Sequence, residues 1–247
     1  MPEAPVALVT GGAKRVGRAI ALELARAGHD IAVHYRNSED DARRVVRDIE
    51  ELGRRAVAFK AELEYPSAWP VLIDETLRHL GRLDSLINNA SLFLTDKPDT
   101  LEAFDLALWE RMLRVNLVAP VALASHAAPK LAHGGRGCVV NLLDAGLDRP
   151  WPSHLAYFAS KSGLASMTRA LARALAPAVR VNAVAPGIAV FPETYDAATR
   201  QSLVARVPLR REGTLEEIAG AVRYLVVEGT YITGETIVVD GGRRTAS

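Results

Sequence analysis

Cysteine is nearly missing from this sequence of 247 residues: Cys138 stands alone, inside an apolar run. An intramolecular disulfide is therefore impossible, and a buried structural thiol is the plain reading. Charge of one sign is also missing. The 30 Lys and Arg against 29 Asp and Glu leave a formal net charge of +1, with no broad electrostatic footprint for nucleic acid. Long hydrophobic runs are missing too. Gly, Pro or charge interrupts each apolar stretch, which argues against a membrane span. The opening MPEAPVALVTGG has no basic stretch followed by an apolar one and a cleavage site, so it does not read as a signal peptide. The 6 histidines are scattered without metal-ligand spacing, and no metal is expected. These absences make a soluble cytoplasmic protein the default expectation.

What is present is 49% hydrophobic residues, enough for one sizeable core, and residues 1–247 read as a single domain. Short apolar runs alternate with helical stretches. Val6–Thr10, Ile31–Tyr35, Ala56–Leu63, Ser85–Asn88, Cys138–Leu143, Val179–Ala185 and Thr236–Asp240 read as strands. Between them, helices are expected over about 17–27, 38–52, 66–80, 106–131, 153–175 and 214–227. Ser38 is placed to cap one of these, and Pro66 to sit in the first turn of the next. Thr214 with Glu217 forms a capping box. Strand–helix alternation predicts right-handed βαβ units and an α/β fold, a doubly wound parallel sheet covered on both faces. The continuous apolar character of the strands agrees with burial on both sides. The segment 186–212 lacks clear periodicity and reads as a lid or substrate loop with room for a short helix.

The first strand runs into TGGAKRVG and then a helix. Gly11 and Gly17 let the backbone turn and approach a diphosphate, which the helix amino terminus attracts. Arg15 stands where a middle glycine is usual, a cation beside the phosphates. The second strand ends in His34, Tyr35, Arg36, Asn37 and Ser38, where NAD-selective sites carry an acid. Arg36 either meets a 2′-phosphate, which makes NADPH the expected cofactor, or is a solvated surface cation. After the fourth strand, Asn88 and Asn89 are placed to pin a loop, and Ala90 leaves room for a ring.

Tyr157 and Lys161 lie four positions apart in an expected helix and share a face. A neighbouring ammonium lowers a tyrosine pKa from its usual ~10, which suits proton delivery near neutrality.

Together, TGGAKRVG, NNAS, Asn116 in VNLVAP, Tyr157 with Lys161, VNAVAPG and the ITGETIVVDGG ending resemble the short-chain dehydrogenase/reductase superfamily over almost the whole chain. The resemblance implies a Rossmann-like fold, Tyr157 as proton donor, Lys161 as its partner and ribose ligand, and Asn116 as holder of a water relay. It also implies cofactor contacts at Asn89, Ala90, Pro186 and Gly187, and a homotetramer built through the long helices. The alanines of 119–128 permit such packing, or burial within one subunit.

Asp144 departs from the pattern, thirteen positions before Tyr157, where the superfamily usually has serine. A carboxylate repels a developing alkoxide but favours positive charge on a ring nitrogen. Alternatively, Asp144 caps a turn and faces away. TGGAKRVGRAIA, HYRNS, NNASLF, NLLDA and PGIAVFPE resemble the pteridine reductase branch. That resemblance implies that Arg15 reaches cofactor and substrate, that Phe93 stacks on a pterin ring, and that Ser91 contacts the ligand. Phe93 as an apolar loop residue packed on the core is the alternative. Trp151 and Pro152 are placed to line the entrance. The expected activity is NADPH-dependent reduction of a pteridine C=N bond, as in a dihydropterin or dihydrofolate. A 3-oxoacyl thioester or other carbonyl reductase, and a nucleotide-binding regulator, are the competing readings.

Overall fold

The computed structural model describes residues 4–94, 99–189, 191 and 195–245. The apolar runs become β1 (Val6–Val9), β2 (Asp30–Tyr35), β3 (Ala56–Lys60), β4 (Ser85–Asn88), β5 (Gly137–Leu142), β6 (Val179–Pro186) and β7 (Thr236–Val239). They form one parallel sheet in the order β3-β2-β1-β4-β5-β6-β7. The helices are α1 (Arg15–Arg26), α2 (Glu39–Glu51), α3 (Ala68–Leu80), α4 (Leu106–Leu113), α5 (Ala119–His133), α6 (Leu155–Leu175), α7 (Ala197–Ala205) and α8 (Leu215–Arg223). This is the single doubly wound α/β domain expected from the alternation.

Successive side chains of a strand point to opposite faces, so each strand feeds two cores. Ala7, Val9, Ile31 and Val33 pack with Ile20, Leu24, Ile49 and Ile218 on one face. Val6, Leu8, Ala32 and Leu86 pack with Leu72, Leu80, Leu123 and Leu131 on the other. Truncating one of these fully buried leucines to alanine costs about 2–5 kcal/mol in general. Strand order reverses between β1 and β4, whose carboxyl ends diverge and open a crevice.

Several local expectations need correction. Ser38 occupies the N-cap position of α2 but makes no side-chain cap bond. The acids Glu39, Asp40 and Asp41 in the first turn suit the positive dipole end instead. Pro66 lies in a turn before α3, and Pro70 is the proline inside its first turn. The helix expected over 106–131 is interrupted by a π-helical segment, Arg114–Val118, in which Ala119 N–H donates to the Arg114 carbonyl. Helix α6 begins at Leu155, two residues after Ser153. The capping box of α8 is present, with Thr214 Oγ1 accepting from Glu217 N–H at 3.1 Å and Glu217 Oε2 from Thr214 N–H at 2.8 Å.

Within 186–212, α7 supplies a short helix. Of the PGIAVFPE motif, Val190, Pro192 and Glu193 lie outside the described residues. Ala119, Ala124 and Ala127 are buried in this subunit's own core, so they do not by themselves mark an interface. No helix among the described residues is long and apolar enough to cross a membrane, and none of them form a metal-binding cluster of His, Cys, Asp and Glu.

Candidate active site

At the crevice, β1 turns into α1 through two residues of positive φ, Gly11 at 63° and Arg15 at 47°. The left-handed region is costly for a side chain, and Arg15 adopts it where a glycine is usual. Gly17 is required for a different reason. A Cβ there would stand 2.1 Å from the Gly11 carbonyl oxygen and 2.6 Å from Asn89 Nδ2. Lys14, at the N-cap of α1, makes no side-chain cap bond, so the first N–H groups of the helix are not spent on its side chain.

The turn is tied down by polar side chains. Asn89 Nδ2 donates to the carbonyls of Thr10 at 2.9 Å and Gly11 at 3.1 Å. Thr10 Oγ1 accepts from the N–H groups of Asn89 and Ala90, each at 3.0 Å. His34, read from sequence as a cofactor contact, lies beneath the turn. Its Nδ1 accepts from Gly11 N–H at 3.1 Å, and its Nε2 lies 3.2 Å from the Ala61 carbonyl, which fixes Nε2 as the donor. Burial lowers the His34 pKa to about 4, against the opposing bond to Ala61, so the ring is neutral.

A cleft of about 600 Å³ runs over this turn, lined in part by Gly11, Arg15, Tyr35, Asn37, Ser38 and Ala90. Two cations at its wall already hold carboxylates: Arg36 Nε lies 2.9 Å from Glu62 Oε2, and Lys14 Nζ 2.9 Å from Asp41 Oδ2. Arg15 has no ion-pair partner among the described residues. A glycine turn, an open helix terminus and three cations fit the diphosphate and 2′-phosphate of a dinucleotide. Pro186 and Gly187 end β6 nearby, with Gly187 N–H donating to the Val239 carbonyl at 2.8 Å; they are bonded to β7 and do not line this cleft.

Ser91 and Leu92 also line the cleft, and Asn116 connects them to the reacting end. Asn116 is fully buried in the π-helical segment. Its Oδ1 accepts from Leu92 N–H at 2.7 Å and Ser91 Oγ at 3.3 Å, while Nδ2 donates to the Leu92 carbonyl at 2.9 Å and Ser160 Oγ at 3.1 Å. The side chain is thus fully engaged in fixing the loop to α6.

Tyr157 Oη donates to Asp144 Oδ2 at 2.9 Å. The other oxygen, Oδ1, accepts from Gly146 N–H at 2.7 Å and caps the 3₁₀ turn Ala145–Asp148. Asp144 therefore caps the turn but does not face away: one oxygen serves the turn and the other faces the tyrosine. Lys161 Nζ donates to the Leu142 carbonyl at 2.7 Å, and burial lowers its pKa to about 8. The expectation that an ammonium depresses the Tyr157 pKa is corrected. Burial first, then the charge and hydrogen bond of Asp144, raise it well above its ordinary value. The proton stays on the phenol because burial first, and the adjoining Asp144 second, disfavour a phenolate.

Phe93 is at the same place. Its ring centroid lies 4.6 Å from that of Tyr157 and 4.9 Å from that of His154, so here it packs on protein rings. Trp151 packs edge-on against Phe158, with centroids 5.9 Å apart. Asp99 went unread in the sequence. It is 3% exposed and its carboxylate accepts from Ala156 N–H in the first turn of α6 and from Trp109 Nε1 at 3.1 Å. It fixes the start of the helix that carries Tyr157. An isolated aspartate 57 positions from its partner has no local signature.

Comparison with known proteins agrees with this geometry. The family profile described as Enoyl-(Acyl carrier protein) reductase matches residues 11–244. The chain is similar to the 3-oxoacyl-[acyl-carrier-protein] reductase FabG of Staphylococcus epidermidis, at 32% identity over 96% of this chain and 97% of that one. It is similar to the 1-cyclohexenylcarbonyl-CoA reductase of Streptomyces collinus, at 34% identity over 96% and 86%. Among solved structures, FolM alternative dihydrofolate reductase 1 from Brucella canis, complexed with NADP, superposes with a TM-score of 0.92 at 37% identity, covering 98% of this chain and 95% of that one. With a seven-stranded parallel sheet, a glycine turn at its switch point and a Tyr-Lys pair on α6, the chain belongs to the short-chain dehydrogenase/reductase superfamily of oxidoreductases.

Proposed function

We propose that this oxidoreductase is an NADPH-dependent reductase of a pteridine C=N bond. The observation that carries the reading is the 2.9 Å bond from Tyr157 Oη to Asp144 Oδ2, with a carboxylate where the superfamily usually has a hydroxyl. The NADP bound to the similar Brucella FolM supports the choice of cofactor, as do Arg36 and the absence of an acid at the end of β2. Gly11, Gly17 and the α1 terminus hold the diphosphate, and Arg36 takes the 2′-phosphate by exchanging Glu62 for it. NADPH, when bound, supplies the hydride.

The rest is done by the chain. Asp144 and Tyr157 hold one proton between them at the ring nitrogen. A protonated C=N carbon is the better hydride acceptor, and the carboxylate stabilises the cation. Tyr157 retains its proton until a base as strong as a reducing imine nitrogen asks for it, in keeping with its raised pKa. Lys161, lying under the pair, offsets the negative charge left behind. Asn116 keeps Ser91 and Leu92 in place, Arg15 serves both cofactor and substrate, and Phe93 turns one face to the heterocycle. The segment 186–212 acts as the lid, and assembly as a homotetramer belongs to the same reading.

The relatives named for acyl-group substrates favour a second reading, reduction of a 3-oxoacyl thioester. The deciding experiment is NADPH consumption with a dihydropterin beside an acetoacetyl thioester. Faster turnover of the dihydropterin is expected; turnover of the thioester alone refutes the pterin reading.

A further inference from the structure

We propose that a second crevice, on the side of the Asp144 turn that carries Arg149, is a subsite for an anionic tail on the substrate; this rests on the pterin reading above. The crevice measures about 420 Å³, and its lining includes Gly146, Arg149, Trp151, Arg206, Arg243 and Arg244. The arginines come from three separate places: the turn after Asp144, the end of α7 and the carboxyl-terminal turn. Two acids also line it, and neither balances Arg206 or Arg243. Asp240 is spent on the backbone, with Oδ1 accepting from Gly242 N–H and Oδ2 from Arg244 N–H, each at 2.8 Å. Asp148 lies 3.7 Å from Arg244 and its side chain is 67% exposed, a pair that contributes little. Arg206 and Arg243 have no side-chain partner among the described residues. The guanidinium groups of Arg206 and Arg243 share this crevice, and like charges repel one another unless an anion joins them. The planar fork of arginine fits a carboxylate or a phosphate.

The crevice adjoins the reacting group. Gly146 in its wall donates its N–H to Asp144 Oδ1. Trp151, also in the wall, packs on Phe158, whose ring centroid lies 5.4 Å from that of Tyr157. A heterocycle seated on Asp144 and Tyr157 sends its substituent past Trp151 toward the arginines. The ligand chemistry is therefore a flat heterocycle with an acidic tail. The tail carries either carboxylates or a phosphate monoester.

The test is equilibrium binding to the NADPH-loaded enzyme of three probes: pterin, pteroylglutamate, and 6-hydroxymethylpterin phosphate. The wild-type enzyme should bind at least one tailed probe roughly tenfold or more tightly than pterin, and the advantage should shrink at high salt. The probe with the gain identifies the tail as carboxylate or phosphate. The double variant Arg206→Ala/Arg243→Ala should lose that advantage, whereas the remote surface change Arg47→Ala should keep it. A thermal melt establishes that the double variant is folded, and Arg206→Gln and Arg243→Gln singly provide partial losses. The inference is overturned if neither tailed probe gains over pterin, or if the double variant keeps the gain. A tail-dependent gain without oxidation of NADPH by any dihydropterin would refute the proposed reaction and leave the subsite standing.

Discussion

At the glycine turn, Thr10, Asn89 and His34 spend their polar atoms on backbone groups, and the result is a neutral, rigid frame. At the reacting end, Tyr157 and Lys161 are buried beside Asp144, and burial together with its charge moves the pKa of each. The first region needs shape and the second needs protonation state. Changes at the turn should therefore act on cofactor affinity. Changes at the reacting end should act on turnover and its pH dependence.

The largest effect should come from Tyr157→Phe, which removes the proton donor. NADPH oxidation with the preferred substrate should fall by about 10²–10⁴-fold, as for loss of a general acid. Next is Gly17→Ala. The added methyl meets the Gly11 carbonyl, and the NADPH dissociation constant, followed by fluorescence titration, should rise about 100-fold. An unchanged constant would show that the turn is looser than described.

His34→Asn should weaken NADPH binding about tenfold, because the shorter side chain cannot bridge Gly11 and Ala61 together. His34 also gives a sign that melts can check. Its folded pKa, about 4, is below the ordinary value of 6.5, so the folded state binds fewer protons between those values. Stability from this group is present above about pH 6.5 and is lost as pH falls toward 4. The asparagine variant should show a shallower acid slope. Lys161 gives the smallest effect, at the alkaline side. Its folded pKa of about 8 is depressed from 10.5, so the cost of its buried charge is relieved as pH rises through that window. The Tm of the wild-type protein relative to Lys161→Met should grow by a few degrees, on the order of 3 °C, between pH 8 and 10.

The sheet was legible because each strand is a short apolar run and each helix has its own period. The glycine turn and the Thr214 capping box were legible because their geometry is local. What escaped depends on neighbours distant in sequence. His34 does line the cleft, but its second task, holding the turn where Gly11 and Ala61 meet, gave no sign in the sequence. Asp99 gave no sign because its partner is the first turn of α6. The sign of the Tyr157 shift was misread because Lys161 is its neighbour in sequence, while burial and a hydrogen bond to Asp144 set the shift in space. The π-helical interruption that holds Asn116 leaves no mark on the apolar pattern of 106–131.

The central claim is that the Asp144 carboxylate commits the site to reduction at nitrogen. Its most direct test is the ratio of kcat/KM for a dihydropterin to that for an acetoacetyl thioester, compared between the wild-type enzyme and Asp144→Ser. The account predicts that serine lowers this ratio by about 100-fold or more, with dihydropterin turnover bearing the loss. A ratio that stays level or rises on that substitution contradicts it.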